Sequence, residues 1–153
     1  EIANNPRLLH SFGVGLDLIG SRGALAIVGT VIVAEQWFPY LGLDFPGGGG
    51  ISAGVRFVPL KYRWSAFVGF GGHISLYDLG IGNQGTDVLK INEGEYQYLE
   101  LWGKNLHLDI GAQYMTPAGF AVESGIGILL FERATTHEPA FMPMFDIGAA
   151  WYF

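Results

Sequence analysis

Four acidic side chains, Asp17, Asp109, Glu123 and Asp146, each lie in a stretch where apolar residues take every second position. Arg56 is the one permanent cation in an equivalent setting. A guanidinium is a planar fork that matches a carboxylate, so one arginine among several carboxylates can tie an ion-pair knot. Arg56 and Glu123 each lie a few residues from a short turn, which places them at similar depth. They are expected to pair, with Gln113 alongside. Histidine offers a second chemistry. His107 and Asp109 are two residues apart and share a face if the segment is a strand, with His73 expected nearby. Such groups can hold a metal or pass a proton, but scattered over strands they fit a hydrogen-bonded cluster better. His10-Ser11 and His137-Glu138 fall near strand ends and read as ordinary polar residues. Gly47 to Gly50 lacks the Lys-Ser/Thr and the following helix of a phosphate loop. No cofactor motif is present, and the absence of Cys removes disulfides and thiolate metal sites.

The elements that must position these groups are strands. Period-2 alternation marks them, over about Leu8 to Ile19, Tyr40 to Phe45, Ile51 to Val58, Trp64 to Tyr77, Leu106 to Met115, Phe120 to Phe131 and Met144 to Phe153. Ala24 to Ala34 is β-branched and reads as a further strand, but it is apolar on both faces and its facing is unassigned. Residues 1–7 read as an N-terminal tail, and Trp37-Phe38-Pro39 as a turn. Residues 78–105 form a long irregular stretch that carries much of the charge. The polar face collects Ser11, Asp17, Ser52, Arg56, Ser65, His73, Ser75, His107, Asp109, Gln113, Glu123 and Asp146. Trp37, Phe38, Tyr40, Tyr62, Trp64, Tyr114, Phe120, Trp151, Tyr152 and Phe153 all fall at one predicted rim, as an interfacial belt would.

Composition narrows the class. The chain has 153 residues, 24 of them Gly, and only 14% are charged. A soluble surface usually needs roughly 25–35% charge. No helical span compensates, because the longest uncharged apolar run, Ala24 to Ala34, falls well short of the ~20 residues a helix needs. Low charge without a spanning helix is what a membrane barrel predicts. A soluble barrel of lipocalin or streptavidin type would have to expose Gly13, Gly15, Ser65, Gly69, Gly71, Gly125 and Gly127 on strands, where glycine offers nothing to water. The net charge of −6 speaks against a nucleic-acid partner. The chain opens on Glu1 with no leader, as expected of a mature or trimmed form.

The terminal stretch carries a resemblance. Phe145, Ile147, Ala149, Trp151 and Phe153 face one way, and Met144, Asp146, Gly148, Ala150 and Tyr152 the other. A terminal strand of this pattern ending on Phe resembles the C-terminal signature of Gram-negative outer-membrane β-barrels, and the rest of the chain is similar in pattern to the small OmpA/OmpX-type class. The resemblance implies an all-β fold: a single domain over 1–153 forming a closed antiparallel transmembrane β-barrel of about eight strands with a polar, small-residue lumen. It implies a place in the bacterial outer membrane among its lipids. It also implies assembly by the barrel-assembly machinery through the strand ending at Phe153, and an interfacial belt including Trp37, Tyr40, Trp64, Tyr114, Phe120, Trp151 and Phe153. Lumen ion pairs in that class act as plugs or gates. The expected role is structural or surface interaction, with a possible partner at loop 78–105. A narrow gated pore is the alternative. Lipid A deacylases of similar size are a further one; they carry His-x-Ser on the lipid-facing wall. His73-Ile74-Ser75 has that spacing, but the strand's phase turns both polar side chains inward.

Overall fold

The computed structural model describes residues 5–20, 23–45, 49–76, 79, 104–132 and 138–153. Its strands are β1 (Phe12–Gly20), β2 (Gly23–Val31), β3 (Trp37–Phe45), β4 (Gly50–Phe57), β5 (Trp64–Ser75), β6 (Asn105–Met115), β7 (Phe120–Glu132) and β8 (Pro139–Tyr152). Each pairs antiparallel with its sequence neighbour, and β1 pairs with β8, so the sheet closes into an eight-stranded barrel. Closure leaves no strand edge along the shared height. Antiparallel neighbours need only short connections. The connections at 32–36, 58–63 and 116–119 lie at one end with both termini, here called the near end. The opposite strand ends, Gly20 and Gly23, Phe45 and Gly50, Ser75 and Asn105, and Glu132 and Pro139, mark the far end.

The alternation of residue types becomes an alternation of environments. On β6, Asn105, His107, Asp109, Gln113 and Met115 are buried, while Leu106, Leu108, Ile110 and Ala112 are exposed. The other strands alternate likewise, with mostly apolar residues outward and polar, small or aromatic residues among those inward. β2, unassignable from sequence, turns Ala26, Val28 and Thr30 inward and Ile27 and Val31 outward. A small apolar plate of Phe38, Val58, Phe67, Met115, Ala121 and Tyr152 crosses the lumen toward the near end.

Several sequence expectations change, among them the start of β8, which is at Pro139 and not at Met144. Trp37-Phe38-Pro39 is not a turn: β3 begins at Trp37, because the connection closes earlier, with Val33 and Trp37 bridging. Leu8 does not open β1. Pro6–Leu8 forms a single 3-10 turn, started by proline's fixed φ, and β1 begins at Phe12. Ser11 is exposed rather than inward, since it lies just before the strand and its backbone ties Phe153 and Ile32 together. Most of loop 78–105 lies outside the described residues; its last residue, Asn105, is the first of β6.

Candidate functional site: the lumenal polar core

At mid-height the lumen is organised around Arg56 on β4. Its Nη1 donates to Glu123 on β7, its Nη2 donates to Asp146 Oδ2 at 2.5 Å, and its Nε lies 3.8 Å from Asp109 Oδ2. All four side chains are at least nine-tenths buried. A buried charge is costly unless paired, and here one guanidinium is shared among three carboxylates. Asp17 joins from β1: oxygens of Asp17, Glu123 and Asp146 lie within 4.8 Å of one another. That spacing suits a cation, but Arg56 already serves two of the three. Gln113 extends the knot, its amide donating to Glu123 Oε2 at 3.3 Å.

Inward glycines make room for this packing. Tyr40 reaches from β3 across β4 and β5 to donate or accept at His107 Nε2 on β6, 2.7 Å away. Its ring crosses Gly54 and Gly71; a Cβ on either would come within 2.3 Å of the Tyr40 hydroxyl. Phe67 does likewise over Gly111, where a Cβ would meet the ring at 2.5 Å. The Arg56 guanidinium lies 4.9 Å over the Phe67 ring, adding a cation–π contact. The void among Asp17, Thr30, Tyr40, Arg56, Glu123 and Tyr152 is about 20 Å³, room for about one water. A hydrated ion does not fit.

Two further polar groups flank the knot. Toward the far end, His73 Nδ1 meets Asp44 Oδ2 at 2.5 Å, and Ser52 donates to the other Asp44 oxygen at 3.3 Å. At the near end, Arg7 is buried beneath the 3-10 turn, donating to the Tyr62 carbonyl at 2.7 Å and to Gln113 Oε1 at 2.9 Å. Burial lowers the Arg7 pKa from the usual arginine value, opposed by Tyr152.

Arg56, Glu123 and Gln113 are thus together, with Asp17, Asp109 and Asp146 around them. His73 pairs with Asp44, His107 with Tyr40, and Asp109 faces Arg56. Tyr40 is corrected from rim to interior, and Phe38 with it, because both share the phase opposite to Leu41 and Leu43. Trp37, Trp64, Phe120, Trp151 and Phe153 are exposed at the near end, and Tyr114 is half-buried against Trp64. Trp37–Phe57, Trp64–Tyr114 and Phe120–Trp151 form ring pairs with centroids 4.7, 4.8 and 6.0 Å apart. Sequence reasoning missed Asp44 and Arg7. The phase of β3 held the signal for Asp44; nothing local signalled that Arg7 would fold under the barrel.

Comparison with known proteins finds no matching family model, no matching characterised protein and no matching solved structure. The reading of function therefore rests on geometry: a crosslinked polar core inside a wall whose outer face, among the described residues, is apolar.

Proposed function

We propose that the chain is an integral outer-membrane β-barrel with a side-chain-filled lumen, acting as a structural or surface-interaction protein. One observation carries this. Among the described side chains of the eight strands, no outward position holds Asp, Glu, Lys or Arg. Leu41, Ile110, Ile126 and Phe145 stand 60%, 55%, 55% and 67% exposed. Contiguous apolar patches larger than a few hundred Å² are rare on soluble monomers, whereas a lipid-facing wall requires a continuous one. Ala53 and Gly72 leave a shallow apolar groove beside Ile51, Ile74 and Leu106, with Lys104 at its far rim, a surface suited to acyl chains. The aromatic pairs at the near end supply an interfacial girdle. Inward polar groups knotted by ion pairs around a void of about 20 Å³ fit a scaffold better than a transporter.

The test is refolding into lipid vesicles, flotation, and an alkaline wash. The expected outcome is protein that stays with the vesicles, with tryptophan emission quenched by brominated acyl chains. A monodisperse monomer stable in detergent-free buffer would overturn the reading.

A narrow gated pore is the second reading, favoured by the Arg56 knot with Glu123 and Asp146 standing across the lumen. The lipid A deacylase alternative needs His73 and Ser75 on the lipid-facing wall. Both are 7% exposed and inward, which removes its support.

A further inference from the structure

The N-terminal segment makes contacts that a tail has no reason to make. Arg7 lies outside every strand, yet its side chain is 2% exposed. Its Nη1 donates to the carbonyls of Leu60 and Tyr62 in the 58–63 connection, at 3.3 and 2.7 Å. Asn5 reaches the neighbouring 32–36 connection, donating to Glu35 Oε2 at 2.8 Å, and His10 Nε2 lies 3.1 Å from the Pro117 carbonyl of the 116–119 connection. Residues 5–10 therefore touch all three near-end connections, 32–36, 58–63 and 116–119. Pro6 is buried beside Arg7, but the larger apolar side chains add little hold, since Leu8 and Leu9 remain 48% and 52% exposed. No strand ladder includes them either. The attachment is a set of polar contacts that water can replace without unzipping the barrel.

Beneath the segment, the two arginines brace the apolar plate. The Arg7 guanidinium lies 5.8 Å from the Phe38 ring centre and that of Arg56 lies 4.9 Å from the Phe67 ring centre. Gln113 joins the two: its amide oxygen accepts from Arg7 at 2.9 Å and its amide nitrogen donates to Glu123, the partner of Arg56. We propose that residues 5–9 are a releasable stopper of the near mouth, latched by Arg7, in series with the Arg56 knot and tied to it through Gln113. Either arginine keeps one ring of the plate in place. Loss of both frees Phe38 and Phe67 together and opens the lumen.

The experiment is single-channel conductance in planar bilayers of the full chain, of Arg7→Ala, of Arg56→Ala and of the double variant. It rests on the membrane-barrel reading, so insertion is established first by vesicle flotation; failure there counts against that reading and not against the stopper. The expected result is silence from the parent and both single variants, and discrete openings from the double. Arg7→Lys in the Arg56→Ala background should close the channel again, because lysine still donates to the Tyr62 carbonyl; a merely misfolded chain would show no such rescue. Openings in either single variant equal to the double would overturn the series arrangement. Silence from an inserted double variant would overturn it too, since the apolar plate would then seal alone. Amide exchange in detergent micelles tests the latch without a bilayer. Arg7→Ala should expose the Leu8 and Leu9 amides, which bond back to Asn5 and Pro6, and leave the strand amides protected. Retained protection at Leu8 and Leu9 would overturn the latch.

Discussion

Arg56 is the residue whose removal should cost most. Replacing it with Leu leaves Glu123, Asp146 and Asp109 facing one another in a buried space. Breaking a buried ion pair by removing one partner costs about 3–5 kcal/mol, and urea unfolding in micelles should show a loss of that order. A loss below about 1 kcal/mol would mean that the carboxylates do not depend on the guanidinium. Tyr40 and Gly71 make a coupled test. A Cβ on Gly71 would lie 2.2 Å from the Tyr40 hydroxyl and 2.7 Å from the His107 ring, and overpacking of this kind costs about 1–3 kcal/mol. With Tyr40→Ala already present, Gly71→Ala should cost much less, a non-additivity that a double-mutant cycle reads directly. Equal costs in both backgrounds would mean that the tyrosine does not need the glycine. The meeting of Arg56 with Glu123 was legible because alternation fixes which face a side chain takes and distance from a turn fixes its height. Asp44 obeyed the same rule. Arg7 obeyed neither, since a 3-10 turn outside the sheet set its direction. Tyr40 was misplaced when residue type was allowed to outrank phase.

Strand boundaries and the uneven heights of the hairpins set the next level. The β1–β8 ladder ends at Leu18 and Ile147, while β7 and β8 continue to pair as far as Glu132 and Pro139. Among the described pairings, Pro139 to Asp146 therefore has no ladder partner on its β1 side. An unpaired edge invites association, and Phe141, 76% exposed, stands on it. The prolines answer this. Tyr152 N–H donates toward β7, to Gly119, and Phe153 N–H toward β1, to Phe12. The β7–β8 register runs without a slip to Pro139, so odd-numbered residues direct their N–H to the β1 side. Pro139 and Pro143 thus remove donors from the open edge and none from the β7 ladder. Replacing both with Thr should leave stability within about 0.5 kcal/mol and produce dimers or higher species in detergent, seen by light scattering after size exclusion. A monomer indistinguishable from the parent would show that the edge is covered by other means. The strands themselves were legible from period-2 alternation; the unequal hairpin heights were not, because they depend on the register around the closed sheet.

For the whole molecule, the decisive property is the inversion of inside and outside. A soluble barrel and a membrane barrel share topology and differ in which face carries the charge, so the outward wall gives opposite responses in the two cases. Ile110 lies at the middle of β6, outward and 55% exposed, with Val68 and Ile126 beside it on the neighbouring strands. Leu106 faces the same way near the far end of the strand. From Leu106 to Tyr114 the outward face spans roughly 26 Å at about 3.3 Å per residue, and a tilt of about 40° brings its height to about 20 Å, most of the roughly 25 Å apolar band of a membrane barrel. Arginine at the bilayer midplane costs about 2–4 kcal/mol, falling to about 0–1 kcal/mol near an interface. Ile110→Arg should therefore destabilise the vesicle-inserted protein far more than Leu106→Arg, as read by reversible unfolding in guanidinium. On a water-facing wall both arginines would be nearly neutral and would raise solubility. A flat profile across the two positions would turn the argument back toward a soluble barrel. A profile peaked at Ile110 would measure directly the low-dielectric surroundings that the absence of outward charge implies.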